Sequence, residues 1–445
     1  MTEKKYWNEK METISAEDLK ALETEALKKQ LDYVYRMSPF YRKKFDEAGV
    51  SPDQFEKHED LRRFPFTTKD ELIKSQEEYG GLGGHQCAPI RDIIRIQGTS
   101  GTTGRPLLIG LTRNDVDQWN ELYARHGWTG GLRPDDVMIN PASFTLFVGG
   151  LSECSGAEHM GITVVPAPIV STGMEKFMKL IKEIKPTVLF STPSMCKFLE
   201  EKVREILKVE PIELGMKKGF LAGEALSEGE RERIQKVWGI DARNFYGLAD
   251  VAADIASECG ESKGLHFCGQ GALVAELINP QTLEPLPWED GVEGEIVFTT
   301  INREATPIIR YRVKDMVRVY VDPCSCGRTG FRFHVIGRSD DMIKVKGVNV
   351  FPGAVKGLIQ EFVPRTTGEF RIVLPHPGPT FGENMVVKIE YGENIPENEL
   401  EALGEELKKA IRDRFQFTPI VNLVAPNTLE RSQYKVEYFV KAYED

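Results

Sequence analysis

Residues 96–106 read IQGTSGTTGRP, in which six small or hydroxyl-bearing residues in a row (Thr99, Ser100, Gly101, Thr102, Thr103 and Gly104) follow an apolar run and precede Arg105 and Pro106. Such a stretch cannot fill a core, and it holds too many backbone-flexible positions for a helix. Glycine N–H groups at the end of a strand can converge on an anion, and threonine and serine hydroxyls add further donors. The composition therefore points to phosphate binding. It is not a Walker A loop, because that pattern needs Lys and Ser or Thr after its last glycine, and Gly104 is followed by Arg105-Pro106. Which phosphates it would hold stays open on these residues alone.

A second constellation suits a metal. Cys324 and Cys326 flank one serine just before Gly327-Arg328, and Cys259 and His266 lie upstream in SECGESKGLHFC. Two separated pairs giving three thiolates and an imidazole match a closed, structural zinc site. Cys268 could replace His266 as the fourth ligand, and free thiols on a turn are the competing reading. Cys87, Cys154 and Cys196 are isolated, as is Cys268 if it is not a ligand; these read as buried, inert thiols. Seven cysteines in a chain of 445 residues give no disulfide framework.

The elements that must position these groups change character along the chain. Leu19, Leu22, Ala26, Leu27, Leu31 and Val34 recur at helical spacing, with Ser15 placed to cap the helix. From about residue 92, short apolar strands alternate with helical patterns: DIIRIQ before the glycine loop, then DDVMIN, GITVVPAP, PTVLFSTP and MKKGFLAGEAL, each with a helical or glycine-rich sequel. That alternation predicts a largely parallel sheet. After Asn244 the strands GALVAELINP, EGEIVFTT, PIIRYRV, DMVRVYV and FRFHVIGR suggest an antiparallel or barrel-like subdomain. From about Asp340 the strands FRIVLPH and NMVVKIEY, the helix NELEALGEELKKAIRDRF and the strand IVNLVAP suggest a small α+β domain.

Composition narrows the partners. A formal charge of −11 argues against nucleic acid as the main partner, since phosphate backbones select basic surfaces. No apolar run approaches the ~20 residues of a membrane span. The N-terminus MTEKKYWNEKMETISAEDLK has no signal-peptide character, so no membrane association and a cytoplasmic location are expected.

The segments IQGTSGTTGRP, FLAGEALSEGER, NFYGLADV, IIRYRVKD and VIGRSDDMIKVKGVNVFP occur in this order. Together they resemble the adenylate-forming (acyl-CoA synthetase) superfamily. YWNEK, SPFYRKKFDEAGV, DLRRFPFTTKDEL and GGLSECSGAEHMG bring the chain closer to the phenylacetate–CoA ligase family. The resemblance covers nearly the whole chain. It implies an α/β fold with a large N-terminal adenylation domain, 1–338, and a small mobile C-terminal domain, 339–445. It also implies ATP, Mg2+ and coenzyme A as reactants and cofactors, with a carboxylic acid, expected to be aromatic, as substrate. A homodimer is a candidate assembly.

Residue by residue, the resemblance gives Thr99, Ser100, Gly101, Thr102, Thr103 and Gly104 the β- and γ-phosphates of ATP. Arg105 is read equally as a phosphate contact or a solvated loop cation. Gly223 and Glu224 would pass beside the adenine, and Tyr246, followed by Gly247, would stack on it. Asp315 would accept both ribose hydroxyls, a task that suits a carboxylate. Arg338 would contact the ribose-phosphate region, Asp340 would be the hinge, and Lys435 in Arg431-Ser432-Gln433-Tyr434-Lys435 would be the catalytic lysine. Phe147, Gly149 and Gly150 would line the acid, with core packing an equal account of Phe147.

Two departures stand out. The family reads Y-G-[LM]-[TS]-E where this chain has Tyr246-Gly247-Leu248-Ala249-Asp250, so a hydroxyl is lost and the magnesium-binding carboxylate is one methylene shorter. Magnesium accepts aspartate readily. Tyr434 stands where the family has glycine. These departures keep two other readings in view: an adenylyltransferase without CoA transfer, similar to deazaflavin-cofactor adenylyltransferases, and an inactive nucleotide-binding regulator.

Overall fold

The computed structural model describes residues 4–99, 105–224, 226–261, 264–429 and 438–443. It divides into two compact units, residues 1–224 with 234–334 and residues 225–233 with 335–445. No helix among the described residues is long and apolar enough to cross a membrane.

In the first unit the helix Ala16–Met37 starts where Ser15 accepts a hydrogen bond from Asp18 N, and it buries Ala26, Leu27, Leu31 and Val34, the face its spacing predicts. Strands β1 (Ile93–Gly98) and β2 (Leu108–Thr112) form a separate antiparallel pair. This corrects the expectation that DIIRIQ enters the parallel sheet. The connection 99–107 is too short for a parallel crossover, which needs a dozen or more residues. In sequence the glycine-rich stretch thus lies between the two strands of this pair.

Strands β3 (Val137–Asn140), β4 (Thr163–Pro166), β5 (Val188–Ser191), β6 (Lys218–Leu221) and β7 (Asp241–Leu248) are parallel, in the spatial order β4-β3-β5-β6-β7. On its other side β7 pairs antiparallel with β8 (Ala252–Glu258). The sheet continues through β9 (Leu265–Phe267), β10 (Leu273–Ile278), β11 (Glu293–Thr300), β12 (Tyr311–Tyr320) and β13 (Arg332–Arg338), in the order β8-β9-β13-β12-β11-β10. The barrel-like expectation is corrected here: among the described residues the sheet has two edges, β4 and β10, and does not close. It curls enough for Ala253, Ile255, Phe298, Tyr311, Val313, Val317 and Phe333 to share one core, which explains the barrel-like pattern.

The helix Val148–His159 packs tightly on the helix Arg113–Thr129. A Cβ on Gly156 would lie 2.2 Å from the Tyr123 ring, so glycine is required by that approach. Between these helices and β8 lie His126, Glu153 and Asp254, each at most 2% exposed, with His126 Nδ1 3.3 Å from Asp254 Oδ1. Burial raises both carboxyls, Asp254 to about 8, and lowers His126 to about 3. Burial likewise keeps the neighbouring Tyr123 and Cys154 neutral. Above about pH 6.5 the imidazole is neutral both folded and unfolded, so only the carboxyls change protonation on unfolding. The folded state then holds a proton the unfolded chain has lost, and stability falls as pH rises to about 8, by up to about 1.4 kcal/mol per pH unit for one proton. The shape-conserving double variant Glu153→Gln/Asp254→Asn is expected to flatten this decline. Melting temperatures read across that window check it, and an equally steep decline in the variant would refute the assignment.

The second unit carries β14 (Ile343–Val345) and β15 (Val348–Val350), joined by a tight turn with Lys346 and Gly347 at φ 49 and 89. A four-stranded sheet follows, built from β16 (Thr366–Leu374), β18 (Val386–Tyr391), β19 (Ile420–Val424) and β20 (Phe439–Lys441) in the order β19-β18-β16-β20, while β17 (Thr380–Phe381) pairs with β14. Leu403, Leu407 and Ile411 of the helix Leu400–Phe415 fall on one stripe and enter the core with Phe370, Ile372, Val387 and Ile389. The α+β expectation matches this layout, with the helix Pro352–Gln360 and the β14–β15 hairpin in addition.

Candidate active site

The residues that could handle a nucleotide follow the C-terminal ends of the parallel strands β3, β5, β6 and β7 and the turn after β7. The chain order reverses between β3 and β5, and in open α/β sheets ligands bind outside the carboxyl ends of the strands at such a reversal. At the end of β3, Asn140 donates from Nδ2 to Gly149 O at 2.9 Å and accepts from Ala142 N at 2.8 Å, which fixes the start of the helix Val148–His159. Beside it, Phe144 and Phe147 are exposed. A Cβ on Gly150 would lie 2.4 Å from Ser143 O, so this glycine is required by the close approach of that carbonyl.

Past β5, Ser194 donates through its hydroxyl and its backbone N–H to Glu224 Oε2, at 2.6 and 3.1 Å. Gly223, just before it, has a φ of 76. Ser194 was not anticipated, since nothing in STPS distinguishes it from a helix cap.

At the end of β7, Tyr246 Oη donates to Asp315 Oδ2 at 2.6 Å. Gly247 permits the turn back into β8, because a Cβ there would lie 1.6 Å from Ala253 O. Asp250 Oδ2 accepts from Tyr311 Oη at 2.5 Å. Asp315 owes its orientation to a bulge. Val297 pairs with Arg312 and Glu295 with Met316, so Val313, Lys314 and Asp315 stand opposite Ile296 alone. Lys314 takes the extra turn with φ 65, a conformation costing a non-glycine residue about 1–2 kcal/mol. Lys314→Gly is expected to raise stability by about 0.5–1 kcal/mol, after glycine's own entropy loss, with nucleotide affinity retained. Denaturant unfolding checks it, and a loss above about 1 kcal/mol would mean the lysine side chain is needed.

Thr99 closes the base of the glycine loop: its N–H donates to Leu107 O at 3.0 Å and its hydroxyl accepts from Leu107 N at 3.1 Å. Gly98 N donates to Leu146 O at 2.8 Å, tying β1 to the segment that carries Phe147. Arg105 is exposed. Ser100, Gly101, Thr102, Thr103 and Gly104 lie outside the described residues, as does Lys435. Arg338 and Asp340 belong to the second unit and form a two-point ion pair, at 2.9 and 3.0 Å.

The Cys and His residues form a cluster of their own. The ligand atoms of Cys259, His266, Cys324 and Cys326 all lie within 4.8 Å of one another. Cys259 Sγ is 3.8 Å from Cys324 Sγ, and Cys326 Sγ is 3.5 Å from His266 Nε2. The hydrogen bond between Cys259 and Cys326 pushes the first thiol up and the second down. Cys268 is outside the group, with its sulfur 3.3 Å from His266 O. Backbone pairing of β9 with β13 sets His266 opposite Arg332, which brings the two halves of the cluster together.

Known proteins match this chain along its length. The AMP-binding enzyme family matches residues 15–302, and the AMP-binding enzyme C-terminal domain matches 347–442. A phenylacetate-coenzyme A ligase of Thermus thermophilus is 35% identical over 439 residues, 95% of this chain and 96% of that one. Its namesake from Escherichia coli is 36% identical over 353 residues, 79% of this chain and 78% of that one. Among solved structures, 2-hydroxyisobutyryl-CoA ligase in the postadenylation state with 2-HIB-AMP has a TM-score of 0.89 at 26% identity, covering 100% of this chain and 94% of that one. The same ligase with 2-HIB-AMP and CoA in the thioesterification state has a TM-score of 0.73 at 28% identity, covering 99% and 93%.

Proposed function

The chain belongs to the AMP-binding enzyme family, and from that premise we propose that it is an AMP-forming acid–CoA ligase of the phenylacetate–CoA ligase kind. The observation that carries the reading is the hydrogen bond between Tyr246, at the end of β7, and Asp315, which joins an aromatic face to a carboxylate. An aromatic ring beside a two-acceptor group suits adenine and its ribose.

In the first half-reaction a carboxylate oxygen of the acid attacks the α-phosphorus of ATP. The bond to the β-phosphate oxygen breaks, and pyrophosphate leaves. In the second, the thiol sulfur of CoA attacks the acyl carbonyl, the thiol proton is lost and AMP departs. Charge accumulates on phosphate oxygens in the first step, so fixed donors and cations lower its barrier. We assign Thr99 and Ser100–Gly104 to the β- and γ-phosphates, Gly223, Glu224, Tyr246 and Gly247 to adenine, and Asp315 to the ribose. Arg338 serves the ribose-phosphate region and Lys435 the α-phosphate and carboxylate. Asp340 is the hinge between domains 1–338 and 339–445, since one site performing two chemistries needs a change of arrangement between them.

Magnesium, when bound, would offset the phosphate charge, with Asp250 as its protein ligand; a carboxylate oxygen at that strand end suits a hard cation. Cys259, His266, Cys324 and Cys326 would hold zinc structurally. Their spacings fit, since zinc with sulfur ligands near 2.3 Å sets those sulfurs about 3.8 Å apart in a tetrahedron. The exposed Phe147 favours an aromatic acid, and cytoplasmic residence gives access to ATP and CoA.

Pyrophosphate release screened over aryl and alkyl acids, with CoA added and withheld, tests the function. At least one acid is expected to support ATP–pyrophosphate exchange and, with CoA, to yield a thioester. Exchange without thioester would favour the adenylyltransferase reading. No exchange with any acid would sink the ligase.

A further inference from the structure

Two segments of the site share one pattern. Tyr246 precedes Asp250 by four residues, and Tyr311 precedes Asp315 by four. The hydrogen bonds between them are crossed: Tyr246 Oη donates to Asp315 Oδ2 at 2.6 Å, and Tyr311 Oη donates to Asp250 Oδ2 at 2.5 Å. The segments are not sheet neighbours, because β8, β9 and β13 lie between β7 and β12. The curl of the sheet brings them together, and the two phenols hold them there.

The two members of the second pair differ in burial. Tyr311 is 1% exposed, whereas Asp250 is half-buried on the turn after β7. Tyr311 is also held from behind. Thr67 N donates to Arg310 O and Arg312 N donates to Thr67 O, both at 2.9 Å, bracketing Tyr311 on the backbone. The guanidinium of Arg310 donates to both oxygens of Glu276, at 3.0 and 2.9 Å, and to the carbonyls of Arg62 and Phe64. A phenol on so well-held a base can fix one oxygen of the half-buried Asp250 carboxylate.

We propose that Tyr311 is a positioning residue for the divalent cation: by donating to Asp250 Oδ2 it fixes that carboxylate and leaves its remaining lone pairs to the ion. The proposal rests on the reading of Asp250 as the magnesium ligand. An O–H donor on a carboxylate gives a short, directional bond, and such partners of a metal-binding group typically change metal affinity by about 10–100-fold. The shorter side chain of aspartate makes the tether more consequential, since it has one fewer torsion with which to find the ion by itself.

The test measures Mn2+ binding to the ATP-bound protein by electron paramagnetic resonance, alongside ATP binding without metal and melting temperature. Tyr311→Phe is expected to weaken Mn2+ about tenfold, with metal-free ATP affinity and melting temperature unchanged. In an Asp250→Ala background the same substitution is expected to add nothing, because Tyr311 acts only through that carboxylate. Unchanged Mn2+ affinity in Tyr311→Phe, or a further loss in the Asp250→Ala background, overturns the proposal. If Asp250→Ala itself leaves Mn2+ affinity intact while acid-dependent exchange continues in the wild type, the metal assignment falls, the proposal falls with it, and the ligase reading stands.

Discussion

Lys435→Ala is expected to cut acid-dependent ATP–pyrophosphate exchange by about 10²–10³-fold, while thioester formation from a supplied acyl-adenylate changes only a few-fold. The asymmetry follows from where charge develops. In adenylation, negative charge grows on the α-phosphate oxygens as the incoming carboxylate gives up its own, and a fixed ammonium opposes that growth. In thioester formation the acyl C–O bond breaks and charge passes to the departing AMP oxygen, but the proposed change of arrangement between the half-reactions has by then withdrawn the lysine. Lys435→Arg keeps the charge with a different reach and is expected to retain part of the rate. Equal loss in both half-reactions would place the lysine outside adenylation chemistry.

The second large effect is on stability. The purified protein is expected to carry about one zinc per chain, and Cys326→Ser is expected to remove it and lower the melting temperature by roughly 5 °C or more. The cluster ties the turn after β8 to the connection between β12 and β13, so its loss releases two loops at once. Without the ion it also leaves Cys259, 1% exposed, near a second thiol with no cation to share. Exchange activity at low temperature is expected to persist, since four protein ligands leave no open position for substrate. Metal analysis finding no zinc, together with an unshifted melting temperature, would return these residues to the role of free thiols on a turn.

The two outcomes separate chemistry from scaffold. One leaves a folded protein that cannot adenylate; the other leaves working chemistry on a weakened frame.

Much of the local architecture was legible in the sequence for simple reasons. The helix Ala16–Met37 follows from apolar residues at helical spacing behind a serine cap, and the helix Leu400–Phe415 from a similar stripe. The strand–helix alternation from Val137 to Asp241 indicated the parallel half of the sheet, because each apolar run is short and bounded by turn residues. The placement of β1 was not legible: DIIRIQ looks the same whether it pairs in parallel or in a hairpin, and the partner's direction decides. For the same reason, strands that share one core could not show whether their sheet closes.

For the site, sequence by itself determined the chemical groups: a glycine–hydroxyl loop, Tyr246, Asp250, Asp315 and four potential metal ligands, each recognisable by type, order and neighbours. Only the tertiary structure decided what these groups do to one another. It set Tyr246 on Asp315 and Tyr311 on Asp250 across three intervening strands, used a bulge at Lys314 to turn Asp315, gave Glu224 a partner in Ser194, and took His266 rather than Cys268 into the cluster. Residue type fixes which bonds a side chain can make, and that information is local. Which bond forms depends on distances set by sheet curl and strand register over separations of 30 to 69 residues, and no local pattern encodes those.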